Sequence, residues 1–345
     1  VAVKVLRNRP AYFRQGMLEI AILTLLKEYY DKDGKGNTVR LFDHFVYKNH
    51  ICIVTELLGA NIYELMKQNQ CRGFNVNISR SFLYQILQAL SVLFTSNIIH
   101  CDLKPENVLL VDYSKRIKLI DFGSSCFENT TLYTYIQSRH YRAPEIILGL
   151  PYSTAIDMWS FGCIAAEFLI GIPIFPGSSE YNQLYKIIRM IGPPPTEMLA
   201  NGTKTLKFFR RRKDASGAYV YELKTQSEYE MDNNVRIEDN RDYHDYVSLE
   251  DFCERVSFRV ASKDAPRKEE FRLAFLDFIK RILVWDPNQR MRPQQALQHP
   301  FITRETFTPD YKVPRCESPL RTYPADSITS IDEVRSEERR VGKEC

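Results

Sequence analysis

The residues best suited to chemistry are Asp102, Lys104, Asn107 and Asp121, which lie within twenty positions of one another. Asp102 can accept the proton of an attacking hydroxyl group or orient that group. Asn107 and Asp121 offer hard oxygen ligands of the kind that Mg²⁺ prefers alongside substrate phosphates. Lys104 adds a cation two residues after Asp102. These residue types suit phosphoryl transfer, which needs positioning and charge neutralisation more than covalent help.

Longer motifs surround these residues in a fixed order. The chain reads His100-Cys-Asp-Leu-Lys-Pro-Glu-Asn107, then Asp121-Phe-Gly123, Ala143-Pro-Glu145 and Asp157-Met-Trp-Ser-Phe-Gly162. Taken singly, each motif is weak, and each residue in it could be an ordinary surface or turn residue. The ordered set resembles the protein-kinase signature, with Cys101 where the usual motif has Arg, and the resemblance covers about residues 1–303.

The resemblance implies a role for each residue, with ATP and Mg²⁺ as cofactors. Lys4, which ends the opening Val-Ala-Val-Lys, would reach the ATP phosphates, and Glu19 would hold it in place. Asp102 and Lys104 would act at the transferred phosphoryl group. Asn107 and Asp121 would hold the metal ion. His100 would pack against Phe122, and Asp157 would accept hydrogen bonds from the backbone of the catalytic loop.

The same resemblance locates the adenine pocket in the segment Ile51–Leu58. Glu56 and Leu58 would offer backbone groups at the hinge between two lobes. Leu109 would form the floor of the pocket, and Asn61 would reach the ribose.

The segment around Tyr135 indicates the branch of the kinase family. Asp-Leu-Lys-Pro-Glu-Asn has the form found in serine/threonine kinases, yet the later segment reads Tyr133-Thr-Tyr135-Ile-Gln-Ser-Arg-His-Tyr-Arg142. A Tyr-x-Tyr pair before this motif is similar to the dual-specificity tyrosine-regulated kinases, and nearby segments resemble their Yak-like branch. Homeodomain-interacting kinases are the nearest alternative. The resemblance implies protein substrates phosphorylated on Ser and Thr, and autophosphorylation of Tyr135.

A phosphate on Tyr135 would have cationic neighbours in the sequence. Arg139 and Arg142 lie four and seven residues after it. Both guanidinium groups could donate charge-assisted hydrogen bonds to a phosphotyrosine. The alternative is that Tyr135 is simply a packed aromatic residue.

Two further predictions rest on the resemblance. Thr55 falls at the gatekeeper position, where many dual-specificity kinases carry Phe, so we expect an open pocket behind the adenine. Glu145 and Arg290 resemble the buried ion pair that anchors the activation segment.

The hydrophobic pattern predicts a bilobal α+β fold with a mostly helical second lobe. The first 57 residues alternate as strands around one helix, and residues 58–303 have helical spacing. Residues 193–269 are charged and irregular, which indicates a surface insertion. Residues 304–334 are rich in Pro, Ser, Thr and charge and are interpreted as a tail.

Composition excludes several classes of protein. The net charge of +4 over 345 residues is too small to indicate nucleic-acid binding or a membrane surface. Eight cysteines without a Cys-x-x-Cys pair favour a reducing compartment, so we expect an intracellular protein of the cytoplasm or nucleus. The longest apolar stretch has 15 residues, too few for a membrane span. No pattern indicates an oligomeric state.

The two ends of the sequence lead to two further predictions. The sequence opens on Val1 in a strand pattern, and only three residues precede Lys4. The resemblance implies a Gly-rich phosphate loop and two strands before this lysine, and three residues are too few to form them. We expect an incomplete reading frame and weak ATP binding. Residues 335–345 match the translation of a common sequencing-library adapter and are excluded from fold reasoning, the alternative being a charged helical tail.

A kinase-fold binding scaffold without catalysis is the competing functional hypothesis.

Overall fold

The computed structural model describes residues 1–111, 115–131, 134–237 and 243–315, which form a small lobe and a larger, mostly helical lobe. The small lobe contains the strands β1 (Ala2–Val5), β2 (Leu41–Tyr47) and β3 (His50–Thr55) and the helix α1 (Pro10–Leu25). The strands form an antiparallel sheet in the order β1-β3-β2. A π-helical turn over Leu26–Tyr30 continues α1. The predicted α+β fold with two lobes is confirmed.

Local backbone preferences explain the ends of these elements. Lys48 and Asn49 turn the β2–β3 hairpin, and both have positive φ angles, 46° and 62°. Two such residues give the hairpin turn whose twist matches that of the strands. The sheet register pairs Lys4 of β1 with Ile53 of β3. The apolar spacing predicts a helix from Phe13, but α1 starts earlier, at Pro10, because proline at the first helical position gives up no helical hydrogen bond.

In its described part, the larger lobe is built from helices with three short antiparallel strand pairs. Ile98–Ile99 (β4) pairs with Cys126–Phe127 (β7), Val108–Leu110 (β5) with Ile117–Leu119 (β6), and Phe209–Lys213 (β8) with Tyr219–Leu223 (β9). Its elements, in chain order, are α2 (Ile62–Gln68), α3 (Val76–Thr95), β4 (Ile98–Ile99), β5 (Val108–Leu110), β6 (Ile117–Leu119), β7 (Cys126–Phe127), α4 (Pro144–Leu148), α5 (Ala155–Ile170), α6 (Glu180–Ile191), α7 (Thr196–Asn201), α8 (Thr205–Phe208), β8 (Phe209–Lys213), β9 (Tyr219–Leu223), α9 (Gln226–Asn233), α10 (Leu249–Arg255), α11 (Lys268–Lys280), α12 (Pro293–Leu297) and α13 (Pro300–Thr303).

Helix α3 begins earlier than its apolar pattern suggests. The sequence favours Asn77 or Ser79 as the N-cap, which is wrong, because Asn75 Oδ1 accepts the N–H of Ile78 at 3.0 Å. Val76 is already fully buried, so the packed face of the helix begins there. Asparagine is a favourable N-cap because its side-chain oxygen accepts a backbone N–H of the first turn. With the earlier start, the N–H of Ile78 gains a partner that it would otherwise lack.

Helix α5 lies at the centre of the larger lobe. It is buried on all sides, as its apolar sequence predicts. The Trp159 ring stacks on Phe175 with 5.8 Å between ring centroids. The helix ends at Gly171, whose φ of 88° is accessible to glycine at little cost. This rigid helix supports the loops that carry the polar residues discussed below.

The structure differs from the expected irregular insertion at residues 193–269. This segment contains the β8–β9 hairpin and several helices, and it contributes Phe208, Phe252 and Phe258 to the buried core. These aromatic residues lie far apart in a segment rich in charged residues, so the sequence shows no clear period for them. Their burial fixes the segment to the lobe.

The predicted tail lies partly within the described residues. Phe307 and Tyr311 pack on the ring of His299, with centroid distances of 6.2 and 4.8 Å. Residues 316–334 of the tail and the suspected adapter translation at 335–345 lie outside the described residues. Across the described part of the chain, we find no helix with the length and apolarity needed to cross a membrane.

Candidate active site

Lys4, Glu19 and Asp121 meet where the two lobes face each other. Lys4 Nζ lies 2.8 Å from Glu19 Oε1 and 2.7 Å from Asp121 Oδ1. Strand β1 supplies the lysine, α1 the glutamate, and the loop after β6 the aspartate. A Cβ atom at Gly123 would lie 3.1 Å from Lys4 Nζ, so a glycine there leaves room for this cluster. The structure therefore brings Lys4 and Glu19 together as the sequence suggests and adds Asp121 to the pair.

The protonation states of this cluster follow from burial and charge. Burial alone would lower the pKa of the Lys4 ammonium group, but the carboxylates of Glu19 and Asp121 raise it above its ordinary value. Burial raises the pKa of the Glu19 carboxyl group, and Lys4 opposes this only in part. Burial also acts upward on Asp121, but there the charge of Lys4 wins and the pKa is lowered. Near neutral pH, Lys4 is charged and Asp121 ionised, as phosphate and metal binding require.

Asp102 is held by its neighbours in the catalytic loop and the activation segment. Its Oδ2 lies 2.6 Å from Lys104 Nζ. Its Oδ1 accepts the backbone N–H of Ser138 at 3.1 Å and the Ser138 hydroxyl at 2.8 Å. Asn107 Nδ2 donates to the carbonyl oxygen of Asp102 at 2.9 Å. The sequence motifs do not indicate this role of Ser138, although it lies directly before Arg139 in the activation segment.

A second group of contacts, centred on helix α5, fixes the backbone of the catalytic loop. Asp157, on α5, accepts the backbone N–H of His100 at 2.7 Å and that of Cys101 at 3.1 Å. Burial raises the pKa of Asp157 to about 7, although both backbone donors oppose the shift. The His100 ring packs on Phe122 at 5.1 Å, and its Nε2 lies 2.9 Å from the carbonyl oxygen of Ile120. The geometry suits the packing role expected for His100 and the backbone contacts expected for Asp157.

A cavity of about 320 Å³ opens between the lobes. Leu23, Ile53 and Leu109 give it apolar walls, and the cluster around Lys4 gives it a polar end. This combination of apolar walls with few polar groups is typical of small-molecule sites. Of the residues expected at the nucleotide, the cavity is lined by Lys4, Glu19, Thr55, Glu56, Leu58, Asn107, Leu109 and Asp121.

Asn61, the residue expected at the ribose, has a different contact. It does not appear among the residues that line the cavity. Its Oδ1 accepts the backbone N–H of Glu64 at 2.8 Å and so caps the N-terminus of α2. This hydrogen bond orients the Asn61 side chain, because its oxygen atom is held by a backbone donor of the first turn of the helix. The structure thus gives Asn61 Oδ1 a role in helix capping and pairs the backbone of Asn61 with Leu109, which lines the cavity. A contact of Asn61 with the ribose stays a prediction.

The polar end of the cavity offers oxygen ligands that could hold a divalent metal ion. Among the described residues, no group of three or more His, Cys, Asp or Glu side chains forms a complete metal site. Asn107 and Asp121 nevertheless line the same cavity and supply oxygen atoms. Mg²⁺ in phosphate-transferring sites is usually held by one or two protein ligands together with substrate phosphates and water. These two residues are the ones that would hold it.

A second, neighbouring cavity of about 370 Å³ contains Asp102. Gln15, Tyr135 and Ser138 also line it. Because Asn107 lines the first cavity and donates to the carbonyl oxygen of Asp102, the two cavities adjoin at the catalytic loop. One compartment can therefore hold a phosphorylated donor and the other an acceptor.

Tyr135 lies exposed beside the two arginine residues of the activation segment. Its side chain is 65% exposed, and the Arg142 guanidinium carbon lies 4.2 Å from the ring centroid. A hydrogen bond with Arg142, together with its charge, lowers the pKa of the Tyr135 hydroxyl group. Arg142 also pairs with Glu180 at 3.1 Å, whereas Arg139 donates to the carbonyl oxygen of Ser178 at 2.6 Å. Tyr133, the other tyrosine of the pair, lies outside the described residues.

The Glu145–Arg290 pair is buried as the sequence suggests. Both oxygens of Glu145 accept from Arg290, at 2.5 and 2.7 Å, and both side chains are 1% exposed. Arg290 also donates to the carbonyl oxygens of Ala155, Val284 and Trp285. The bidentate geometry and the satisfied donors are what a buried ion pair needs to be tolerated.

Comparison with known proteins adds independent information. The sequence profile of the family described as "Protein kinase domain" matches residues 1–302. Serine/threonine-protein kinase ppk15 of Schizosaccharomyces pombe is 48% identical over 310 residues, covering 89% of this chain and 58% of the relative. Dual specificity protein kinase YAK1 of Saccharomyces cerevisiae is 44% identical over 327 residues, covering 92% and 40%. Dual specificity tyrosine-phosphorylation-regulated kinase 3 of Mus musculus is 43% identical over 319 residues, covering 90% and 50%. The chain thus spans between 40% and 58% of the length of these relatives.

Proposed function

The chain belongs to the protein kinase family, and we propose that it transfers the γ-phosphoryl group of ATP to serine and threonine hydroxyl groups of proteins. The comparisons confirm the predicted similarity to the dual-specificity tyrosine-regulated kinases and to their Yak-like members. The observation that carries the proposal is the pair of adjoining cavities, one with Lys4, Glu19 and Asp121 and the other with Asp102.

The nucleotide belongs in the cavity that Lys4 lines. Lys4 would bind the α- and β-phosphates, and Glu19 would keep its ammonium group in position through the 2.8 Å contact. Adenine would lie between the apolar walls, against the hinge backbone of Glu56 and Leu58 and above Leu109. Asn107 and Asp121 would hold Mg²⁺, whose positive charge would neutralise the phosphates.

The acceptor hydroxyl group belongs beside Asp102. The two hydrogen bonds from Ser138 keep the carboxylate in one orientation, from which it can orient the hydroxyl group and accept its proton. Lys104, paired with Asp102 at 2.6 Å, would stabilise the charge on the transferred group. The chemistry therefore depends on placement of both reactants by this chain's own residues.

The partners follow from this chemistry. We propose protein substrates with exposed Ser or Thr, and no direct role for nucleic acid or membrane. The described cysteines are free thiols, which fits a protein of the cytoplasm or nucleus.

Tyr135 is the proposed site of autophosphorylation. Its hydroxyl group already lies beside Arg142, and a phosphate would strengthen that contact by adding charge-assisted hydrogen bonds. Arg139, on the next turn of the segment, is the second candidate donor. Such bonds would order the activation segment next to Asp102, since Tyr135 and Asp102 line the same cavity.

We predict that Tyr135→Phe lowers the rate of peptide phosphorylation by about tenfold, the factor that corresponds to about 1.4 kcal/mol. The reason is that phenylalanine cannot carry the phosphate that Arg139 and Arg142 would bind. The measurement is the initial rate with saturating ATP. Tyr243→Phe is the matched control, because Tyr243 is equally exposed, at 64%, but lies in the insertion. Equal rates for both variants and the unmodified chain would defeat this role for Tyr135.

We predict that Thr55→Phe raises the inhibition constants of ATP-competitive compounds with a bulky back-pocket group by about 10- to 100-fold. Thr55 lines the nucleotide cavity at the end of β3, and a phenyl ring there would fill the space behind adenine. Inhibitors without the bulky group serve as the control and should keep their constants within about twofold. Unchanged constants for the bulky compounds would show that Thr55 is not a gatekeeper.

The proposed activity can be tested with a peptide array. The chain is incubated with Mg²⁺ and isotopically labelled ATP on peptides that present Ser, Thr or Tyr as the only acceptor. We expect label on Ser and Thr peptides and none on Tyr peptides. Nucleotide binding without labelled peptide would instead favour a binding scaffold with a kinase fold.

A further inference from the structure

The side chain of Glu56 links three segments at the edge of the nucleotide cavity. Its Oε1 accepts the backbone N–H of Arg40 at 2.7 Å and the Nζ donor of Lys118 at 2.5 Å. The side chains of Glu56 and Lys118 are only 18% and 13% exposed. A carboxylate with two donors in such a sheltered position is held more firmly than a surface ion pair.

The three segments belong to different parts of the fold. Arg40 directly precedes β2 in the small lobe, and its carbonyl oxygen accepts the backbone N–H of Glu56 at 3.2 Å. Lys118 lies on β6 in the larger lobe, three residues before Asp121. Glu56 itself begins the connection between the lobes, directly after β3. One carboxylate therefore ties the connection to both lobes.

Backbone contacts fix the surroundings of this carboxylate but leave the connection itself without a strand partner. Before β2, Val39 donates to the carbonyl oxygen of Leu119 at 2.9 Å, which attaches that segment to β6. After the connection, Gly59 donates to the carbonyl oxygen of Leu110 at 2.7 Å, which attaches it to β5. Between these anchors, residues 56–58 have no regular secondary structure. Their position therefore depends on the one backbone bond from Glu56 to Arg40 and on side-chain contacts such as those of the Glu56 carboxylate.

We propose that Glu56 and Lys118 form a hinge latch, a positioning pair that holds the backbone of residues 56–58 where adenine binds. The proposal rests on the proposed function, because it concerns the hinge of the same nucleotide cavity. It assigns to the Glu56 side chain a role separate from that of its backbone. Neither residue belongs to the cluster of Lys4, Glu19 and Asp121, and neither lines the cavity that contains Asp102. The latch acts on affinity for the base, and its loss lets the hinge backbone move away from its binding position.

The test uses Lys118→Met, which removes the ammonium group but keeps an apolar stem of similar length. We expect the dissociation constants of adenosine and of ATP, measured by calorimetry, to rise by the same factor, about five- to tenfold. Adenosine carries no phosphate, so an equal loss for both ligands points to the hinge. Lys118→Arg, which retains the charge, should recover most of the affinity. Glu56→Gln combined with Lys118→Met should bind no more weakly than Lys118→Met alone, because the pair acts as a unit.

Lys224→Met is the matched control. Lys224 is 11% exposed and pairs with Asp232 at 2.9 Å, so it resembles Lys118 in burial and charge but lies beside the β8–β9 hairpin. We expect this variant to bind adenosine within about twofold of the unmodified chain even if its melting temperature falls.

Three results would overturn the latch. One is that Lys118→Met loses thermal stability like the control but keeps its affinity for adenosine. Another is that ATP binding weakens and adenosine binding does not, which would assign the effect to Asp121. The third is that the unmodified chain does not bind adenosine at all. A chain that binds adenosine in the predicted pattern but transfers no phosphate would support the latch and contradict the proposed function, so the two failures are distinguishable.

Discussion

Asp102→Asn is expected to lower the rate of phosphoryl transfer by about 100- to 10,000-fold, the range typical of losing a general base or an orienting carboxylate. Asparagine keeps the size of the side chain and an oxygen that can accept from Ser138. It loses the charge that pairs with Lys104 at 2.6 Å and the ability to take a proton. Because Asp102 does not line the nucleotide cavity, ATP affinity should stay within about twofold.

The matched control for this variant is Glu222→Gln. It also neutralises a carboxylate in an ion pair, with Arg212 at 2.6 Å, but on the β8–β9 hairpin of the insertion. Single-turnover rates with saturating ATP and a Ser peptide give the comparison. A rate for Asp102→Asn within threefold of the control would exclude Asp102 as the residue that handles the acceptor hydroxyl group.

Glu145→Gln is expected to lower the free energy of unfolding by about 3–5 kcal/mol, the range found when one partner of a buried ion pair is removed. The variant leaves the Arg290 guanidinium group charged, buried and without its bidentate partner. Because Glu145 lies in α4, at the end of the activation segment, a loss of order there should also reduce phosphoryl transfer. Equilibrium unfolding in urea measures the stability effect.

Two comparisons make this prediction specific. The double variant Glu145→Gln and Arg290→Met removes both charges, so it should be more stable than Glu145→Gln alone. Glu222→Gln breaks an exposed pair and should cost less than about 1 kcal/mol. A loss below about 1 kcal/mol for Glu145→Gln as well would show that the buried pair does not anchor the lobe.

The residues proposed to bind and transfer phosphate could be predicted from the sequence because they occur in ordered motifs. Lys4 and Glu19 are fifteen residues apart, yet the motif pairs them, and the structure places them 2.8 Å apart. The role of Ser138 was not visible, because its bonds to Asp102 depend on how the activation segment folds back over the catalytic loop. Long-range contacts of this kind leave no periodic pattern in the chain.

The same reasoning explains the other differences. Glu56 was expected to contribute backbone groups only, and its contact with Lys118 joins positions 62 residues apart. The N-capping contact of Asn61 was not expected, and it adds to the predicted place of this residue at the ribose, which stays a prediction. In the insertion, isolated aromatic residues such as Phe252 find partners that only the tertiary fold brings near. Local signals thus predicted the elements and motifs, whereas packing decided which side chains meet.

The most direct test of catalysis combines two measurements on the same preparation, ATP affinity by calorimetry and transfer of the γ-phosphate to a Ser peptide by mass spectrometry. Both are made on the unmodified chain and on Asp102→Asn, with Mg²⁺ present. We predict that the two proteins bind ATP with similar affinity and that only the unmodified chain yields phosphoserine at a measurable rate. Equal binding with no phosphopeptide from either protein would contradict catalysis and leave a nucleotide-binding scaffold.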